Sequence, residues 1–213
     1  MISPMSTATI STAERVREYV MSRPVGEPFS LIDIRGLGPR RAVDHALSYL
    51  TREEVIVNVT RGIYMRPKVS PLVGQIPPSP DSIVKAWAAA SMSKVEVHGA
   101  EAARQFGLTT QMPMRPVYVT TGPRRNIQVG DLTIELRHAA PSRLLLAGTS
   151  AGRAYAALRY LGRSEVTTST IETIKEKLPP QEFARFVAER NLMPAWLSDL
   201  LHPFAAESEN AGA

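Results

Sequence analysis

FSLIDIRGLGPRRAVDHALSYLTREEVIVNVTRGIYMR, residues 29–66, decides how the chain is read. Pro39 suits the first position of a helix, and Val43, Ala46, Leu47 and Leu50 follow at the 3, 4 and 7 spacing of one buried helical face. Arg40, Arg41, Asp44, His45 and Ser48 fall on the opposite side, with the charge gathered at the helix N-terminus. Upstream, Ser30 and Asp33 cap a short helix with Leu31 and Ile34 turned inward, and Gly36 and Gly38 supply the positive φ of a tight bend. Downstream, the β-branched run Val55–Val59, the turn Thr60-Arg61-Gly62 and the return Ile63-Tyr64-Met65 predict a hairpin with Arg61 at its tip and Arg66 and Lys68 behind it. Helix, turn, helix and basic hairpin in that order predict a winged helix-turn-helix. It would offer Arg40, Arg41, Asp44 and His45 to DNA base edges, and Arg61, Arg66 and Lys68 to phosphates.

Working outward, Ser11 and Glu14 form a capping-box pattern ahead of an apolar stripe (Val16, Tyr19, Val20), so a first helix should run to about Ser22. Residues 1–9 show no periodicity and read as a disordered leader. The DNA-binding domain is therefore placed at 10–68, followed by a proline-rich linker at 69–80. Residues 81–205 read as an α+β domain: helices at 81–92 and 99–106, strands at 94–98 and 117–121, a hairpin of 127–129 and 132–138 around Gly130-Asp131, and helices from 143 onward. Its sheet is expected to be small and antiparallel, its C-terminal part helical with Phe183, Phe186, Val187, Trp196, Leu197 and Leu200 facing the core, and 206–213 a mobile tail. The fold class is α+β.

Bulk composition narrows the function. The 213 residues contain no cysteine, which excludes disulfides, thiolate zinc sites and cysteine nucleophiles. No apolar run is long enough to cross a membrane, so no membrane partner and a cytoplasmic location are expected. The net charge is +5, unevenly spread. Residues 104–163 hold nine arginines against only Asp131 and Glu135, which makes Arg115, Arg124, Arg125 and Arg137, with Tyr118 nearby, a second candidate face for nucleic acid or an acidic partner. An RNA- or protein-binding module built on this region is the alternative function. A remote second alternative is a serine hydrolase, because Gly148-Thr149-Ser150-Ala151-Gly152 matches the G-x-S-x-G elbow and Leu144–Leu146 could be its strand; a helix cap at Ser150 explains the string as well. The four histidines are scattered without ligand spacing, and no phosphate-binding glycine loop is present, so neither metal nor cofactor is expected.

Two series in the chain carry a family resemblance. Thr60-Arg-Gly-Ile-Tyr-Met-Arg-Pro67 closing a winged helix resembles the N-terminal domain of AbiE-type antitoxins, the repressing half of type IV toxin–antitoxin operons. The run from Val97 to Pro113, then Val117–Pro123, Ile127–Gly130 and Ile134–His138, is similar to the antitoxin-like domain of such bacterial proteins. The resemblance implies a non-enzymatic autorepressor that binds repeated half-sites in its own promoter. It further implies a second domain that counteracts a nucleotidyltransferase-like toxin, without requiring a stable complex. The DNA-contact role would fall on Arg40, Arg41, Asp44, His45, Arg61 and Arg66, and no motif marks an antitoxic residue.

Overall fold

The computed structural model describes residues 10–210, the side chains of 206–210 excepted, so the leader expected at 1–9 lies outside the described residues. The fold is mixed α+β, divided into two compact units, Met1–Ser91 and Met92–Ala213.

In the first unit, helix α1 (Thr12–Ser22) opens with the expected capping box, Ser11 and Glu14 each satisfying the other's backbone N–H. Strand β1 (Pro28–Ser30) follows, then a chain of turns into a single 3-10 turn (Arg35–Leu37), then α2 (Arg40–Arg52). The short helix expected from Ser30 does not form. The Asp33 carboxylate accepts from both the backbone N–H and the hydroxyl of Ser30, and this half of a capping box closes a turn instead. Neither Gly36 nor Gly38 takes the left-handed conformation expected, Gly38 being extended at φ 164°. Gly38 is needed for space, since a Cβ there would fall on the Thr12 side chain. Pro39 is the N-cap of α2 rather than its first residue.

Strands β2 (Val57–Thr60) and β3 (Ile63–Met65) form the hairpin, and β1 pairs antiparallel with β3, giving the order β1-β3-β2. Val16, Val20, Phe29, Ile34, Val43, Leu47, Leu50 and Ile56 close one core between α1, α2 and the sheet. Burying each of the larger side chains is worth about 1.5–3 kcal/mol. All four residues of the predicted α2 stripe are buried.

The segment expected as a bare linker carries a hairpin, β4 (Lys68–Ser70) and β5 (Gly74–Ile76). Helix α3 (Pro80–Ser91) then packs on β1 and β3, burying Ile83, Val84, Trp87 and Ala88. It therefore belongs to the first unit, and the division falls after Ser91 rather than at residue 80.

The second unit holds a four-stranded sheet of β6 (Val95–Val97), β7 (Val117–Thr120), β8 (Arg125–Val129) and β9 (Leu132–His138), in the order β6-β7-β9-β8. It is mixed rather than antiparallel. The β8–β9 hairpin turns at Gly130, and β9 inserts between β8 and β7, parallel to β7. Helix α4 (Gly99–Gln105) packs closely on α5 (Ser150–Leu161), where a Cβ on Gly99 would meet Tyr160 and the carbonyl of Ala156. Helices α6 (Thr168–Lys177), α7 (Pro180–Ala188) and α8 (Ala195–Asn210) complete the unit. Helix α8 continues through Asn210, into the segment expected to be a tail, and it buries Leu197, Leu201 and Phe204, while Trp196 and Leu200 are only partly covered. Phe204 meets Phe183 edge-on at 5.9 Å, and the Lys175 ammonium lies 5.6 Å from the Phe204 ring centre and 5.9 Å from that of Phe183.

Candidate nucleic-acid interface

Helix α2 turns its apolar stripe inward, which leaves Arg40, Arg41, His45, Ser48, Tyr49 and Arg52 exposed. No side chain caps its N-terminus and no acidic residue in its first turn opposes the dipole. Free amides and two arginines thus coincide there, an arrangement that favours anions. Arg40 Nε donates to both Asp44 oxygens, at 2.9 and 2.8 Å. With the Arg40 side chain 66% exposed, this pair contributes under about 1 kcal/mol to stability, and its effect is to orient the guanidinium. Asp44 therefore acts through Arg40. Arg41 has no carboxylate partner among the described residues.

Sequence reasoning overlooks Arg35. The 3-10 turn places it with Arg40 in the lining of one cleft of about 190 Å³, together with Leu31, Ile32 and Val43. The signal in the sequence is a cation three residues after an exposed aliphatic, just ahead of the helix. By itself that pattern reads only as part of a turn.

At the hairpin tip Arg61 is exposed, next to Gly62 at φ +77°. Arg66 is not available in the same way. Its Nη1 donates to the carbonyls of Met21 and Arg23, at 3.1 and 3.0 Å, and so caps the C-terminus of α1. Arg66 thus takes a positioning role at the end of α1, where a phosphate contact was expected of it. Lys68 begins β4 with its stem against Gly26, exposed but outside the β2–β3 hairpin.

The arginines of the second unit are arranged differently. Arg137 forms two bonds of 3.0 Å to Glu135 and Arg124 reaches the same carboxylate at 3.4 Å. The Arg137 bonds hold the Glu135 carboxyl below the usual carboxylate range, with Arg124 and Arg115 adding to the effect and partial burial opposing it. Arg115 and Arg125 are exposed. Tyr118, expected nearby, is 7% exposed and offers no stacking surface. In the same unit His98 caps α4, its Nδ1 accepting from the Ala100 N–H at 3.3 Å. Burial pushes the His98 pKa down and Arg137 adds to this, while Glu135 opposes it.

The Gly148–Gly152 string is accounted for by a helix start. Residues 141–144 form a 3-10 turn, not the strand a nucleophile elbow requires. Thr149, not Ser150, is the N-cap, accepting from the Gly152 N–H at 3.0 Å. A Cβ on Gly152 would collide with the Leu146 carbonyl, which explains the second glycine. Glu96 and Glu182 accept from the N–H groups of Gly148 and Ala151, so carboxylates of the protein itself occupy this helix start. Among the described residues no group of histidines and carboxylates could hold a metal ion, and no helix is long and apolar enough to cross a membrane.

No curated protein matches the chain. Among solved structures it is similar to the RV2827C protein from Mycobacterium tuberculosis, at 15% identity over 98% of this chain and 81% of that one. The TM-score of 0.42 marks a likeness too loose to transfer fold detail or function. A family model covers residues 15–185, most of both units, and the chain belongs to that family, described as a family of unknown function (DUF6088).

Proposed function

We propose that the chain is a DNA-binding repressor of the AbiE antitoxin kind. It would bind repeated half-sites in its own promoter and counteract a nucleotidyltransferase-like toxin, acting in the cytoplasm without enzymatic chemistry. The observation that carries the DNA-binding part is the uncapped, carboxylate-poor N-terminus of α2, where Arg40 and Arg41 open the helix and Arg35 lines the same cleft as Arg40. The element order supports reading the first unit as a winged helix-turn-helix. A turn leads into α2, and an antiparallel hairpin follows whose return strand pairs with β1. On that reading α2 enters the major groove and Arg61 meets a phosphate on the flank. The antitoxin part rests on the resemblance carried by Thr60–Pro67 and by the series from Val97 to His138.

The test is a mobility shift with duplex DNA from upstream of the chain's own gene, in low salt, against a scrambled duplex of equal length. A specific shift that weakens steeply with salt is expected. Absence of any shift at excess protein would sink the repressor reading. The toxin arm is checked separately: a nucleotidyltransferase-like protein encoded in the adjacent reading frame should arrest growth, and co-expression of this chain should relieve the arrest.

A further inference from the structure

The side-chain polar groups lining the cleft ahead of α2 are the guanidiniums of Arg35 and Arg40, which only donate. Leu31, Ile32 and Val43 form its apolar lining. Ile32 is 44% exposed, a large aliphatic held open to solvent on the charged side of the unit. Of the nearby carboxylates, Asp44 is held by Arg40 itself and Asp33 by Ser30. Guanidiniums and methyl groups offer no side-chain acceptor to the amino donors that adenine and cytosine present in the major groove. Guanine offers acceptors without a methyl. Thymine offers both, an O4 acceptor beside the C5 methyl.

We propose that this cleft reads a thymine. The C5 methyl would seat against Ile32, with Arg35 and Arg40 donating to O4 and to the adjoining phosphate, which makes Ile32 and Arg35 specificity-determining residues. The inference rests on the DNA-binding reading above and deepens it.

Thymine and uracil differ in duplex DNA only by that methyl, so the test substitutes deoxyuridine for each thymine, one at a time. The duplex is one recovered by the full-length protein from a random-sequence pool. The expected result is about fourfold weaker binding at one thymine per half-site, the value of one buried methyl, and near-neutral changes elsewhere. Ile32→Ala should bind the thymine and uracil forms of that site alike, and Ile32→Val should keep part of the difference. Since Ile32 is half open to solvent, unchanged melting temperatures are expected of both variants. Tight binding with no methyl-sensitive position, or a sensitivity that persists in Ile32→Ala, overturns the thymine assignment while leaving DNA binding intact. Recovery of no sequence at all overturns the DNA-binding reading itself.

Discussion

The two arginine-bearing faces of this protein are built from the same residue type and differ in where the carboxylates lie. At the start of α2 the acid beside the arginines, Asp44, is an i,i+4 neighbour that aligns Arg40 and leaves Arg35 and Arg41 without a carboxylate partner among the described residues. On the β8–β9 face Glu135 stands among the arginines, bonded to Arg137 and Arg124. Its side chain is 21% exposed and the Arg124 side chain 77% exposed, so the carboxylate holds the inner position and tethers cations that solvent would otherwise claim. A count of charges ranks the second region above the first. Geometry narrows that gap, because Arg124 and Arg137 already face a carboxylate and must give up that interaction before they can bind a phosphate.

The sharpest way to break the contrast is a pair of double variants. Arg40→Ala with Arg41→Ala should weaken specific DNA binding by roughly 1–3 kcal/mol for each base-edge interaction removed, read by fluorescence anisotropy on the selected duplex. Arg124→Ala with Arg125→Ala should change the same titration by less than about 0.5 kcal/mol, as surface substitutions remote from a site generally do. Equal losses in the two variants would end the distinction.

Within the first unit, Arg66 and Arg61 separate positioning from DNA recognition. Arg66→Ala removes two charge-assisted bonds to the end of α1 and should cost about 1.5 kcal/mol of stability, seen in chemical denaturation, with the salt dependence of DNA binding unchanged. Arg61→Ala should leave stability alone and lower the slope of log affinity against log salt by about one, uniformly across sequences.

Glu135→Gln converts the second face toward the character of the first. With the carboxylate gone, Arg137 and Arg124 are released, and the protein should elute from a heparin column at higher salt. An unchanged elution would show that Glu135 does not restrain these arginines.

The smallest effect concerns His98. Its folded-state pKa lies below the usual imidazole value, so the unfolded chain takes up the proton first as pH falls. The contribution of neutral His98 is complete above the ordinary pKa of about 6.5 and is lost as pH drops through the lower folded value. Protonation also removes the Nδ1 acceptor that caps α4. A modest decline in melting temperature below about pH 6.5 is therefore expected, and His98→Asn, which keeps a capping acceptor, should remove that part of the decline.

Short-range rules govern what is legible in the sequence. The Ser11–Glu14 box, the α2 stripe and the Gly130 turn each depend on residues a few positions apart, and each is present. What stays hidden depends on partners far along the chain. Arg66 looks like a wing cation because its acceptors, Met21 and Arg23, lie more than forty residues upstream. Helix α3 looks like the start of a new domain because the prolines before it suggest a spacer, yet its apolar stripe packs on β1 and β3. Ser30 and Asp33 carry the residues of a helix cap, which serve a turn equally well. Gly38 and Gly152 suggest backbone freedom or catalysis, and both are there to leave room. At the candidate site the arginines of α2 are legible from periodicity. The cleft with Arg35 and Ile32 is not, because it exists only once the turn folds against the helix.

The last helix has a practical consequence. The sequence after His202 looks dispensable, being rich in small and acidic residues, yet Phe204 is the edge-on partner of Phe183 and one side of the cradle around Lys175. Trimming the chain at Pro203 would bare the Phe183 ring and leave that ammonium with one aromatic neighbour in place of two. Truncations and fusions on this side of the chain should therefore leave α8 (Ala195–Asn210) whole.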